Sequence, residues 1–237
     1  ARLSMAYHGN DRAGQDFKKS KTWHYLSSIC SYLLAILSKP AMVIVPVMAF
    51  TIDYFLLKRP FRHIVVSLIG FITIALPMTA ATIFLQHSKP MSIVSLSFLE
   101  RLLVASDSIA FYLYKIILPV SLGPDYGRTP TFALSQNLIY VAWIIPVLFL
   151  LLSYKVKKHR SWLLASVGIF IAGLLPVLGF IQFEFQVRIS TVADRYIYAS
   201  MLGPGMALAF FLSQINPSVI NKRLITGISG VMVGILG

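Results

Sequence analysis

The sequence is short of charge, of acids and of cysteine, and each shortage closes off a class of protein. Charged residues are 12% of the 237, where a water-soluble domain carries about 25%. With 57% apolar residues, the chain has more apolar surface than a soluble core of this size can hide. The single cysteine, Cys30, excludes an internal disulfide; a lone thiol in an apolar run behaves as a small apolar residue. There is no phosphate-binding glycine loop and no paired Cys/His metal spacing. The five histidines (His8, His24, His63, His87, His159) are scattered, and their spacing supports no nucleophile triad.

What is present is long apolar runs, with a mean hydropathy of +0.76. Such runs are read as bilayer spans. Within lipid each backbone polar group must be paired inside the structure, so only helices or a closed barrel qualify. The runs lack polar alternation, which favours helices. The expected fold is all-α, a polytopic transmembrane helical bundle. The chain opens on Ala1 and closes at Gly237 inside a short apolar run, so the expectation is a bundle incomplete at both ends.

Residues 1–22 are polar and basic (Arg2, Arg12, Lys18, Lys19, Lys21). Spans are expected over 24–57, 63–86, 133–154, 161–183, 196–213 and, truncated, 224–237. The first is interrupted by Lys39-Pro40. The residue before a proline is pushed out of the helical region, so 24–57 is either one broken helix or a hairpin. Pro77 and Pro176 lie inside spans, where proline kinks helices. Residues 88–131 form the longest connection. Within it 98–118 has helical periodicity with Glu100, Arg101, Asp107 and Lys115, which suits a helix lying in the interface.

The net charge of +13 brings no basic helix or aromatic–basic module, so nucleic acid is not an expected partner. Four segments hold most of the basic residues: 1–22, 58–62, 155–160 and 216–223. They alternate correctly with the spans if 24–57 is a hairpin and 98–118 does not cross. Basic loops favour the cytoplasm. The expected setting is an integral membrane protein, of the bacterial inner-membrane type, with membrane lipids as its surroundings. The opposite face would carry Glu100, Asp107, Asp125, Glu184 and Asp194.

Charged groups near membrane depth tend to mark sites. In Val192-Ala193-Asp194-Arg195-Tyr196-Ile197-Tyr198, Arg195 could hold a phosphate through its planar fork. Asp194 could orient it or accept a hydroxyl proton, and Tyr196 and Tyr198 suit headgroup depth. The competing reading is an interfacial anchor. Glu100 and Arg101 are either a solvated polar face or part of a site. Lys115 either snorkels or meets an anionic headgroup. Lys39, between two apolar runs, is either an anchor or a ligand for a lipid phosphate.

These motifs, together with Leu34-Ala35-Ile36-Leu37-Ser38-Lys39-Pro40, Asp53-Tyr54, Glu100-Arg101-Leu102-Leu103 and Phe111-Tyr112-Leu113-Tyr114-Lys115 with Leu118-Pro119, recur in a familiar order. Over most of Tyr32–Leu212 the chain resembles the membrane domain of the transmembrane-and-tetratricopeptide-repeat family of protein O-mannosyltransferases and its bacterial relatives, in the GT-C class of glycosyltransferases. The resemblance implies inverting transfer of a sugar from a polyprenyl-phosphate carrier to an acceptor, expected to be a protein, on the non-cytoplasmic face. It also implies a catalytic acidic pair in a first outer loop, upstream of Ala1, and repeats beyond the membrane domain. Arg195 would be the main ligand of the carrier phosphate, with Lys39 and Arg101 in support. Asp194 and Tyr198 would position Arg195 or the acceptor. No resident cofactor is evident; some GT-C enzymes use a divalent metal and others do not. Rival readings are a transporter or flippase of lipid-linked intermediates, and a non-catalytic subunit of a larger membrane complex.

Overall fold

A computed structural model describes residues 22–87, 96–180 and 184–214. The basic lead-in 1–21, residues 88–95, the end of the expected 161–183 span and everything from 215, including the run 224–237, lie outside the described residues. The described residues are mostly helical, and no strand occurs among them.

The first two helices form a hairpin. Helix α1 covers 22–38. Lys39 is extended (φ −145°, ψ 106°), as a residue before proline prefers to be. Pro40 then opens the 3₁₀ turn Pro40–Ile44, and α2 follows at Val45–Phe55. Helix α3, Phe61–His87, runs alongside α1 in the same direction. Tyr25 of α1 donates to the Ser67 carbonyl at 3.1 Å, and Tyr32 and Ile36 pack with Phe71 and Ala75. Since α2 returns between them, the 24–57 stretch turns back on itself at Lys39.

Helix α4 spans Phe98–Ile117. Ser97 and Glu100 form a reciprocal capping box at its start, satisfying two backbone donors that a helix N-terminus leaves over. The expected span 133–154 is not one helix. Thr129 caps a short helix α5, Pro130–Ser135, and the chain turns at Gln136–Leu138 before α6 (Ile139–Ala142) and α7 (Ile144–Lys155). Proline at a first helical position needs no N–H bond, so Thr129-Pro130 starts a separate helix. The stretch 161–183 also ends early. Helix α8 is Arg160–Leu174, and Pro176 sits in the 3₁₀ turn Leu175–Val177. Beyond lie α9 (Glu184–Arg188) and the four-residue α10, Asp194–Ile197. Residues 198–201 turn before α11, Leu202–Gln214, so 196–213 is likewise a turn and a helix.

Helix α8 is the centre, packed by α2, α7 and α11. Half of its most apolar window is buried, against 17% for α3 at the rim. Small residues let the backbones close in, as in lipid-embedded helix pairs. A side chain at Gly168 would run into Thr51 Cγ2 of α2. One at Gly203 would strike the Ser166 carbonyl and come within 2.9 Å of the Phe170 nitrogen. Both α2 and α11 run antiparallel to α8. Consequently Lys58, Arg59 and Arg62 share one end of the molecule with Lys155, Lys157, Lys158 and Arg160. Its described acid is Asp53, paired with Arg59 at 3.1 Å. The other end carries Lys39, Arg101, Asp107, Arg128, Asp194 and Arg195.

Two helices, Phe61–Leu85 and Lys157–Val177 when its flanking 3₁₀ turns are included, are long and apolar enough to cross a membrane. Three shorter apolar segments accompany them: Pro40–Phe55, Ile139–Lys155 and Leu202–Gln214. On α7 every side chain from Val147 to Leu152 is at least 42% exposed. A continuous apolar surface of that kind marks contact with lipid or another apolar partner.

Candidate functional site

At the end away from the basic turns, a polar layer ties three segments together. The segments are α4, the loop 118–129 and the stretch 189–196. Tyr112 of α4 is 1% exposed. Its Oη donates to the Ala193 carbonyl at 3.0 Å and accepts from the Ala193 nitrogen at 2.9 Å. Burial pushes its hydroxyl above the ordinary tyrosine range. Asp194, next along, accepts from the Gly123 nitrogen at 2.7 Å and from Tyr126 Oη at 2.6 Å. Desolvation first, and then that bond to the carboxylate, raises Tyr126 to about 12. The Arg128 carbonyl accepts from the nitrogen and hydroxyl of Thr191 at 2.7 and 2.8 Å. Nη2 of Arg128 reaches both carboxylate oxygens of Asp107 at 2.9 and 2.7 Å, a charge-assisted contact.

This layer places α10, and α10 places Arg195. Its guanidinium lies 5.3 Å from the Tyr196 ring centroid, within cation–π range. Arg195 and Tyr196 border a cavity of about 30 Å³ whose other wall includes Lys39 and Ala41. Lys39 and Tyr196 also border a larger cleft of about 270 Å³, lined by Met78, Thr79, Thr82 and Ile83 of α3 and by Val177. The hydroxyls of Thr79 and Thr82 donate to carbonyls of their own helix at 2.8 Å, so the cleft is effectively apolar. Lys39 has no acidic partner among the described residues. Lys39 and Tyr196 on the apolar cleft, with Arg195 on the small cavity beside it, suit a ligand with an anionic head and an apolar tail.

The remaining predicted residues are placed elsewhere. Glu100 is spent on the cap of α4; its bonds from the Ser97 side chain and backbone hold its carboxyl below the usual range. Arg101 donates to the Phe180 carbonyl at 2.8 Å and the Leu96 carbonyl at 3.3 Å. Lys115 donates to the carbonyls of Val120 and Ser121 at 2.6 and 3.1 Å, and lies 4.7 Å from the Tyr126 ring centroid. Arg101 and Lys115 thus tie α4 to the loops beside it. Tyr198 points outward, 69% exposed. Asp194 is turned to the 123–126 loop, where it accepts from Gly123 and Tyr126.

Sequence reading missed the Asp107–Arg128 pair, because its partners lie on different elements and neither sits in a motif. It also missed Tyr112 and Gln186. Gln186 is 1% exposed, with its amide nitrogen 2.5 Å from the Val177 carbonyl it donates to and its Oε1 without a partner among the described residues. No group of three His, Cys, Asp or Glu among the described residues could hold a metal ion. No family model matches this chain, and neither a curated protein nor a solved structure matches it.

Proposed function

We propose that this chain is the carrier-binding part of a polytopic membrane glycosyltransferase of GT-C type. The enzyme would move a sugar from a polyprenyl-phosphate carrier to a protein acceptor, with the catalytic acids supplied from outside these residues. In this reading the basic end faces the cytoplasm and the Lys39–Arg195 end faces the other side of a bacterial inner membrane. The observation that carries the reading is the meeting of Lys39 and Arg195 on one cavity beside an apolar cleft. They come from the first hairpin and from α10, far apart in sequence and flagged independently by the motifs. Sugar departure leaves charge on the carrier phosphate, and cations fixed in advance stabilise such charge best where water is excluded. Arg195 grips the phosphate with paired donors and Lys39 adds a second positive charge. The prenyl chain continues into the cleft along α3.

The test uses both binding and transfer. In nanodiscs a polyprenyl phosphate binds roughly tenfold or more tightly than the matching polyprenol, the margin expected of one or two charge-assisted hydrogen bonds. The double variant Lys39→Ala/Arg195→Ala removes that margin and leaves polyprenol binding alone. In the full-length protein Arg195→Ala abolishes transfer from a polyprenyl-phosphate sugar with expression intact. Undiminished transfer by that variant sinks the phosphate-binding role.

A further inference from the structure

A second cavity lies on a different side of α8, toward the basic end. It measures about 480 Å³ and runs between α4, α7, α8 and α11, with Leu113, Leu148, Leu152, Leu163, Phe170 and Phe211 among its walls. Its two serines offer nothing to a ligand. Ser153 Oγ donates to the Phe149 carbonyl at 2.8 Å and Ser166 Oγ to the Trp162 carbonyl at 2.9 Å. The groove therefore takes an apolar occupant and no polar one. From Ile145 to Ser153 its wall on α7 is about 12 Å long at the helical rise, so the groove is elongated.

Two of the groove's lining residues, Ser153 and Leu163, sit at the basic end of the molecule. Ser153 is followed within five residues by Lys155, Lys157 and Lys158, and Leu163 lies three residues after Arg160. The guanidinium of Arg160 stacks 4.9 Å from the Tyr154 ring centroid. No described acid pairs with any of these four. An apolar slot beside four cations that no described acid pairs with matches an amphiphile with an anionic head.

We propose that this groove is a binding site for an anionic phospholipid, with one acyl chain between α7 and α11 and the headgroup phosphate on the Lys155–Arg160 turn. The site is separate from the Lys39–Arg195 cleft and does not depend on its function. Basic side chains next to an anionic leaflet contribute additively, but a surface effect alone needs no groove, and the two contributions separate experimentally.

The probes are phosphatidylglycerol and phosphatidylcholine with identical chains, added to the full chain in detergent and read by native mass spectrometry. Phosphatidylglycerol is retained and phosphatidylcholine is not. Each of Lys155→Gln, Lys157→Gln and Lys158→Gln weakens retention by roughly fivefold, the worth of one basic residue at an anionic surface. Ala207→Trp, which fills the groove and leaves the charges, abolishes retention; a thermal melt checks that it folds. A phosphatidylglycerol carrying a photoreactive acyl chain labels α7, α8 or α11. Three results overturn the proposal. They are equal retention of the two lipids, undiminished retention in a folded Ala207→Trp variant, and formation of a disulfide between Ala207→Cys and Ser229→Cys, the latter placed in the 224–237 run, in a Cys30→Ser background. The last would show that the groove holds the chain's own segment.

Discussion

Replacing Tyr112 by phenylalanine removes one oxygen and nothing else. The ring still fills its place among Ala105, Phe170, Leu174, Val177 and Val192, so no cavity opens. The lost hydroxyl serves both polar groups of Ala193, a residue with no exposed surface. The Ala193 carbonyl keeps a second bond, from the Tyr196 nitrogen at 3.0 Å. The Ala193 amide has no other partner described and is left buried and unpaired. An orphaned buried donor costs about 1–3 kcal/mol, so Tyr112→Phe should destabilise by about 2 kcal/mol. For a domain of this size that lowers the melting temperature by about 4–8 °C. Ala193 is two residues from Arg195, so affinity for a polyprenyl phosphate should fall as well. The assay is thermal unfolding in one detergent with phosphate-carrier binding measured alongside. Tyr114→Phe is the control, because that ring is 48% exposed and its loss should stay within about 0.5 kcal/mol, as surface changes usually do. A Tyr112→Phe variant as stable as the control would falsify the view that this hydroxyl holds the 189–196 stretch.

Gly203→Leu should separate α11 from α8, because the backbone at Ser166 and Phe170 leaves no room for a side chain; a loss of about 1–3 kcal/mol is expected by thermal melt, with Gly205→Leu, which meets open space, as the harmless comparison. Tyr126 titrates higher in the folded protein than the ordinary tyrosine value of 10.0, at about 12. Its contribution to stability is therefore fully present below pH 10 and is lost as pH rises through 12; Tyr126→Phe should flatten that part of an alkaline unfolding profile, and an unchanged profile would count against the Tyr126–Asp194 bond.

The all-helical character of the described residues was legible because the apolar runs lack the polar alternation that strands would show. The turn at Lys39-Pro40 was also legible, since proline restricts its predecessor, though choosing a hairpin over a broken helix needed the contacts of Tyr25 and Tyr32 with α3. The fracture of 133–154 was hidden because hydropathy averages over the turn at Gln136–Leu138, while the local signal, Thr129 followed by Pro130, lies before the apolar run. The candidate site divides in the same manner. A lysine between apolar runs and an arginine among tyrosines stand out by cost alone, and both line one cavity. The pairing of Asp107 with Arg128 does not stand out, because an ion pair between distant elements leaves no periodic trace.

Asp194 and Arg195 show why adjacency in a motif is a poor guide to shared work. Beside a guanidinium, an acid reads naturally as its orienting partner. Here the carboxylate is engaged by Gly123 and Tyr126 in the loop, while the guanidinium borders the cavity of Lys39. Arg195 and Lys39 line that cavity together. Asp194 still serves Arg195, through the backbone, because it fixes the start of α10 against a loop that Arg128, Ser190 and Thr191 hold from the other side. The division follows from electrostatics. A carboxylate placed at the cavity would repel an incoming phosphate, whereas a carboxylate turned to the loop stiffens the arginine's mount without adding negative charge there.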